Sequence, residues 1–324
     1  MKYIYLYFAI LLPGWALSGT PPPAPSAEPL QEVEVTGERP GPGMWRVSKG
    51  EHVLWLFGTL DPLPKRMTWR SRDVEAVVAQ SQEVLAANDR YSIDARIGPI
   101  MLVRLYMQYR RIEKIPENSR LKDWLTPAQY ARFSALKARY APHEGSLEKM
   151  RPFFAAGKLY EKAIESADLV SRNDIQQEVL KLARRHSVPV QRAKVRVDDP
   201  RGALAEVAEI PREAEIACLD ATMERLETDF DAMRARARDW ALGDVDALRK
   251  LPSPKQIQVC WSALLTAPQA RAAMDKVNAD WNAELDAALA RNRTTLALKP
   301  IYDLISADGT LARLRAKGYS VEGP

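Results

Sequence analysis

Apolar positions change their period along the chain, and the changes mark its elements. Met44–Val47 ("MWRV") and His52–Gly58 ("HVLWLFG") are both extended in character, and "SKGE" between them supplies a turn, so a β-hairpin is predicted. After the turn at Asp61-Pro62, "SRDVEAVVAQSQ" places Val74, Val77 and Val78 at helical spacing, with Ser71 as the cap. "EVLAA" then reads as a second strand. From about residue 97 to 292 the period is helical. Thr126-Pro127 with Gln129 forms a capping box that opens "PAQYARFSALKARY". Further helices are predicted over 146–168, 173–186, 211–240, 244–250, 256–265 and 268–292. One interruption, "SVPVQRAKVRV", is rich in β-branched residues and predicts a strand over Val188–Val197. The end returns to strands: Thr294–Leu298, then a helix in "DGTLARLRAKG" stopped by Gly318, then "YSVEG". The expected fold class is therefore α/β: a mixed β-sheet formed by the N- and C-terminal segments, with a large helical middle insertion. Residues 44–324 read as one domain, sheet-forming at 44–96 and 293–322 and helical over 97–292.

The first 18 residues, "MKYIYLYFAILLPGWALS", carry one charge at Lys2, an apolar stretch, and small residues Ala16 and Ser18 at cleavage spacing. About 15 apolar residues broken by Pro13 and Gly14 fall short of the roughly 20 a spanning helix needs. A cleaved signal peptide is expected, with a periplasmic or secreted product and no transmembrane anchor after cleavage. Residues 19–43 are dominated by Pro, Gly, Ser, Glu and Ala, a composition that cannot bury enough apolar surface to order itself. They read as a disordered tether; within residues 31–37, "EVEVTG" alternates like a short strand, either a sticky patch or a binding segment.

The 324 residues are 46% apolar and 27% charged, a globular composition with a formal charge of +5. The charge is interspersed. Arg234, Arg236 and Arg238 share their segment with Glu224, Glu227, Asp229, Asp231 and Asp239, which reads as a solvated helix face and excludes a nucleic-acid groove. Cys218 and Cys260 are expected to pair in an oxidising compartment, closing a loop worth about 4 kcal/mol in the chain-entropy view. Neither has a histidine or second cysteine at ligand spacing.

Candidate chemistry is sparse. "LWLFGTLDPLP" breaks an apolar run at Gly58-Thr59 and presents Asp61 at the start of a turn, a position that suits either a catalytic carboxylate or a turn cap. There is no Gly-x-Ser-x-Gly and no glycine-rich phosphate loop, so neither an activated serine nor a nucleotide cofactor is expected. His52, His143 and His186 have no ligand spacing. Aromatic residues of the helical middle, Trp124, Tyr130, Phe133, Tyr140, Phe153, Phe154 and Tyr160, form either core or a binding groove.

Three stretches carry a resemblance. "MWRVSKGEHVLWLFGTLDPLP", "DWALGDVDAL" and "LISADGTLARLRAKGYSVE", in this order and near both ends of the folded part, resemble the opening, the Trp-x-x-Gly-Asp segment and the close of TraB/GumN proteins, relatives of the Tiki proteases. The resemblance implies a sheet from two half-domains with a helical insertion. It also implies two Gly-x-x-His motifs and a glutamate that, in a metal-dependent peptidase, would hold a metal and activate water. This chain departs from each. The first motif is Gly58-Thr59-Leu60-Asp61 and the second Pro300-Ile301-Tyr302-Asp303; the glutamate position falls at Ala87, and the arginine expected beside Asn278 is Val277, although Trp281 fits. Gly58, Thr59, Ala87, Asn278 and Tyr302 are expected to line the site. The leading reading is a family member with a degenerate, non-catalytic site, and no cofactor or metal is expected. The alternative is a hydrolase or peptidase using Asp61 and Asp303, as a proton-sharing pair or around Mg²⁺, Mn²⁺ or Ca²⁺. A further alternative is an envelope binding module for a protein or peptide.

Overall fold

A computed structural model describes residues 41–86, 98–116, 119–170, 174–192, 199–251 and 254–324. The expected signal peptide, most of the tether and Ala87 lie outside the described residues. Gly41 to Gly43, assigned above to the tether, are buried instead. Gly43 lies against Val245 and Pro324, and the Gly41 carbonyl sits where a Cβ on Gly243 would need to be.

The chain opens with β1 (Met44–Lys49) and β2 (His52–Thr59), an antiparallel hairpin in register from Met44↔Phe57 to Lys49↔His52. Gly50 takes the left-handed φ of 61° that the turn requires. β3 (Leu63–Pro64), α1 (Arg72–Gln80) and β4 (Glu83–Ala86) follow. Ser71 occupies the N-cap of α1, but its side chain makes no capping bond; the Ser71 carbonyl accepts the Glu75 amide at 2.8 Å.

The helical region runs α2 (Pro99–Ile112), α3 (Pro127–Tyr140), α4 (Pro152–Ser166), β5 (Leu169–Val170), α5 (Asp174–Arg185), β6 (Val190–Arg192), α6 (Pro200–Ala208), α7 (Arg212–Thr228), α8 (Phe230–Leu242), α9 (Val245–Lys250), α10 (Lys255–Leu264) and α11 (Pro268–Arg291). The capping box at Thr126 and Gln129 is formed in both directions, at 3.3 and 2.9 Å. Two predicted helices are shorter than their period suggested. The one over 146–168 begins at Pro152, after a separate 3-10 turn at Gly145–Lys149, because proline lacks the N–H an interior turn needs and suits the first helical position. The one over 211–240 divides at Asp229, whose carboxylate is drawn between Arg225 and Arg236. Of the strand predicted over 188–197, β6 covers 190–192; residues 193–197 lie outside the described residues.

β7 (Thr294–Pro300), α12 (Ile301–Ile305), α13 (Thr310–Ala316) and β8 (Ser320–Glu322) complete the chain. Gly318, at φ 81°, ends α13; its amide bonds to Arg315 and the Tyr319 amide to Leu314, the paired bonds of a Schellman stop.

The six-stranded sheet has the order β6-β4-β7-β2-β1-β8. β6, β4, β7 and β2 run parallel, while β1 is antiparallel to β2 and to β8. Strand β7, from the far end of the sequence, sits between β2 and β4, so both termini build one mixed sheet around the helical insertion. β4 and the centre of β7 are buried on both faces, which is why they read as continuous apolar runs. Trp45, Leu56, Phe57, Leu85, Leu296 and Leu298 form the sheet core with helix residues such as Val78, Val179, Trp240 and Leu285. A second cluster lies within the helices, around Phe133, Leu159, Leu219 and Met223. Parallel register pairs Gly58 with Lys299 and Thr59 with Pro300. The chain therefore leaves the carboxyl ends of β2 and β7 side by side, where α/β sheets place their ligand crevices.

Candidate cleft at the strand ends

Each residue of the β2 end is fixed by a neighbour. Gly58 packs against Ile301, whose Cδ1 occupies the space a Cβ would take, and its carbonyl accepts the Trp240 indole N–H at 2.7 Å. That bond explains the tryptophan of "DWALGDVDAL". The glycine of the same motif, Gly243, ends α8 in the left-handed region at φ 71°, and Asp244 caps α9 by accepting the Ala247 amide at 2.8 Å. Thr59 donates its hydroxyl to the Lys299 carbonyl on β7 at 3.3 Å.

Asp61 then enters the wall of two adjoining cavities. One, of about 360 Å³, is lined by Phe153, Tyr160, Arg225, Gln256 and Cys260; the other, of about 640 Å³, by Thr59, Gln258, Ser262, Pro300 and Tyr302. Asp61, Ile257 and Trp261 border both. Helices α4, α7 and α10 supply one side of the cleft and the ends of β2 and β7 the other.

A buried charged layer that the sequence did not disclose runs from the lining inward. Arg225 is buried, donates to Gln256 Oε1 at 2.8 Å, stacks its guanidinium 4.8 Å from the Tyr160 ring centre, and has Nε 3.4 Å from Asp229. Arg236 donates to the same Asp229 carboxylate at 2.8 Å and is only 4% exposed. The solvated face expected for this segment holds for Arg234 and Arg238 but not for Arg236, because the turn of α8 that carries Arg236 packs inward. Burial pushes the Tyr160 phenol up to about 12, with Arg225 opposing and Asp61 adding to the rise. Burial also raises Tyr302, against the opposing pull of Arg236. Both phenols therefore stay protonated at neutral pH.

The remaining expected residues are placed as follows. Asp303, in α12, turns its carboxylate to the Thr310 hydroxyl at 2.7 Å and to the Lys299 ammonium at 3.2 Å, and it borders neither cavity. Thr59 and Tyr302 line the larger cavity; Gly58 lies beneath them. Asn278 is exposed on α11 and lines neither cavity, while Trp281 is buried with the Lys299 ammonium 5.7 Å from its ring centre. His52 Nδ1 lies 2.7 Å from the Asn292 carbonyl, and His186 Nε2 lies 3.1 Å from Glu75; with His143, they stand apart from the cavity linings. Cys218 and Cys260 form the expected disulfide, joining α7 to α10 at the cavity wall. Of the aromatic residues noted above, Phe133 is core, Trp124, Tyr130 and Tyr140 pack against it, and Phe153 and Tyr160 do both, reaching the cleft.

The donors among the described residues do not match a zinc-hydrolase centre. Among the described residues no three His, Cys, Asp or Glu side chains are grouped to hold a metal, and Asp61 is the one acid in the lining of the two cavities. Arg225, Gln256, Ser262 and Trp261 were missed from the sequence; the only trace was the Arg225–Asp229 spacing of one helical turn, which surface helices share.

Fold and cleft define a mixed α/β protein with a helix-roofed crevice at the carboxyl ends of two adjacent parallel strands. The chain belongs to the TraB/PrgY/gumN family, whose model matches residues 43–323. No curated protein and no solved structure matches it at a significant level. Among the described residues no helix is long and apolar enough to cross a membrane.

Proposed function

We propose that this chain is an exported, periplasmic family member in which the cleft serves to bind a peptide or protein segment and the metal-hydrolase chemistry has been lost. The observation that carries this reading is the placement of Asp303. Its carboxylate is engaged by Lys299 and Thr310 away from the cavities, so that among the described residues Asp61 is the acid that lines them. Activating water on a divalent ion takes several protein ligands, and the replacements at Asp61, Asp303 and Ala87 remove the family's set. What the cleft offers is a binding surface. Phe153, Ile257, Trp261 and Leu264 present apolar and aromatic area, while Asp61, Gln256 and Ser262 supply a few polar contacts. The signal-like N-terminus and the disulfide support export.

A second reading keeps Asp61 and Asp303 as a carboxylate pair, with or without Mg²⁺, Mn²⁺ or Ca²⁺. It is favoured by the register Thr59↔Pro300, which starts both connections at one level. One experiment separates the two. Metal content is measured by inductively coupled plasma mass spectrometry after incubation with Zn²⁺, Mn²⁺, Mg²⁺ and Ca²⁺, on the parent and on an Asp61→Ala, Asp303→Ala variant. The binding reading expects no stoichiometric metal in either; metal held by the parent and lost by the variant overturns it. A mixed library of short peptides passed over immobilised protein tests the binding itself, and retention that vanishes in Trp261→Ala supports it.

A further inference from the structure

We infer that helix α2 is a docking face for an anionic lipid surface. A helix at a protein surface ordinarily turns one apolar stripe inward and a polar face to water. α2 does the first and not the second. Leu105 and Ile112 are buried, Gln108 donates to the Arg201 carbonyl at the start of α6 at 3.0 Å, and Tyr109 meets Phe154 edge to face at 5.9 Å. On the other side Ile100, Leu102, Val103, Tyr106 and Met107 are each between 56% and 71% exposed. At 100° per residue these five fall on one continuous arc over the first half of the helix, from Ile100 to Met107, a length of about 11 Å.

Charge selects the occupant. Arg104, Arg110 and Arg111 are exposed on the same side, and the helix contains no acid; Glu113, just past its end, is buried and paired with Arg110. Arg104 and Arg111 have no ion-pair partner among the described residues. A second copy packed on this face would gather the arginines of both helices into one interface that holds no acid of α2 to pair them, which like-charge repulsion opposes. An apolar arc bordered along one edge by Arg104 and Arg111 and along the other by Tyr109 is the arrangement that lies in a membrane interface: apolar side chains enter the acyl boundary, tyrosine sits at headgroup level, and arginines meet anionic lipid. This face is separate from the cleft and does not depend on what the cleft binds.

The test is vesicle flotation of the full chain, with each variant compared in that same chain so that the apolar N-terminal segment contributes equally. Vesicles contain phosphatidylethanolamine with phosphatidylglycerol, or phosphatidylcholine alone. The parent is expected to float with the anionic vesicles, less so as salt rises. Leu102→Glu with Met107→Glu should abolish the difference between the two vesicle types, and Arg104→Gln with Arg111→Gln should lower partitioning roughly thirtyfold. All four sites are exposed, so folding is expected to survive, as circular dichroism would verify. Equal flotation of parent and Leu102→Glu, Met107→Glu variant overturns the inference. So does a solution dimer dispersed by that variant, which would assign the face to a second copy. Retention on immobilised polyglutamate without flotation would overturn it in favour of an acidic protein.

Discussion

The Trp240 indole donates to the carbonyl of Gly58 at 2.7 Å, across 182 positions of sequence and inside the core. It ties the helical layer to the strand that carries Asp61. Trp240→Phe removes the donor and part of the buried ring, leaving the Gly58 carbonyl unpaired beside a small void. The expected cost is about 1–3 kcal/mol in urea denaturation. An unchanged midpoint would show that the bond does not hold the strand end.

Gly58 faces Ile301 too closely for any side chain. Gly58→Ala should destabilise the fold by about 1–3 kcal/mol through overpacking. Because Cδ1 of Ile301 is the obstructing atom, Ile301→Val in the same chain should recover part of that loss. A double-mutant cycle with no coupling would contradict the contact.

The Cys218–Cys260 bridge closes a separation of 42 residues. Removing it as Cys218→Ala, Cys260→Ala should cost about 4 kcal/mol in the chain-entropy view. Cys260 also borders the smaller cavity, so ligand retention should weaken along with stability. Equal midpoints with and without reductant would rule out a stabilising bridge.

Tyr160 carries the alkaline signature. Its folded value of about 12 lies above the ordinary phenol value of 10.0, so the folded state holds this proton more tightly than the unfolded chain does. The contribution is present below pH 10 and is lost as pH rises from 10 to 12, on the order of 2 kcal/mol. Tyr160→Phe should flatten the fall in stability across that window. A slope identical to the parent's would mean that the phenol ionises freely.

Asp303 and Asp61 should separate experimentally. Asp303→Asn loses the Lys299 pair and weakens the Thr310 bond, so about 1 kcal/mol of stability should go, with cleft binding intact. Asp61→Asn should do the reverse, changing retention of peptides more than the denaturation midpoint.

The periodic elements were legible in the sequence because their causes are local. Gly50 and Gly318 mark their turns by residue type, Thr126 and Gln129 cap by reach across one turn, and β4 and β7 are apolar because both faces are covered. Breaks that depend on distant partners were not legible. Asp229, where Arg225 and Arg236 converge, interrupts a good helical period, and Ser71 holds a cap position whose side chain is not used.

The site divides in the same way. The resemblance carried by "HVLWLFGTLD", "DWALGD" and "KPIYD" implied that Asp61 and Asp303 follow strand ends at one cleft, and the parallel register of Thr59 with Pro300 brings those two strand ends together. Which carboxylate faces the cleft was decided in three dimensions, where Lys299 and Thr310 hold Asp303 while Asp61 remains in the lining. The burial of Arg225 and Arg236 was decided there as well. A helical period records which positions share a face, but whether that face meets water or another helix depends on packing between segments far apart in sequence.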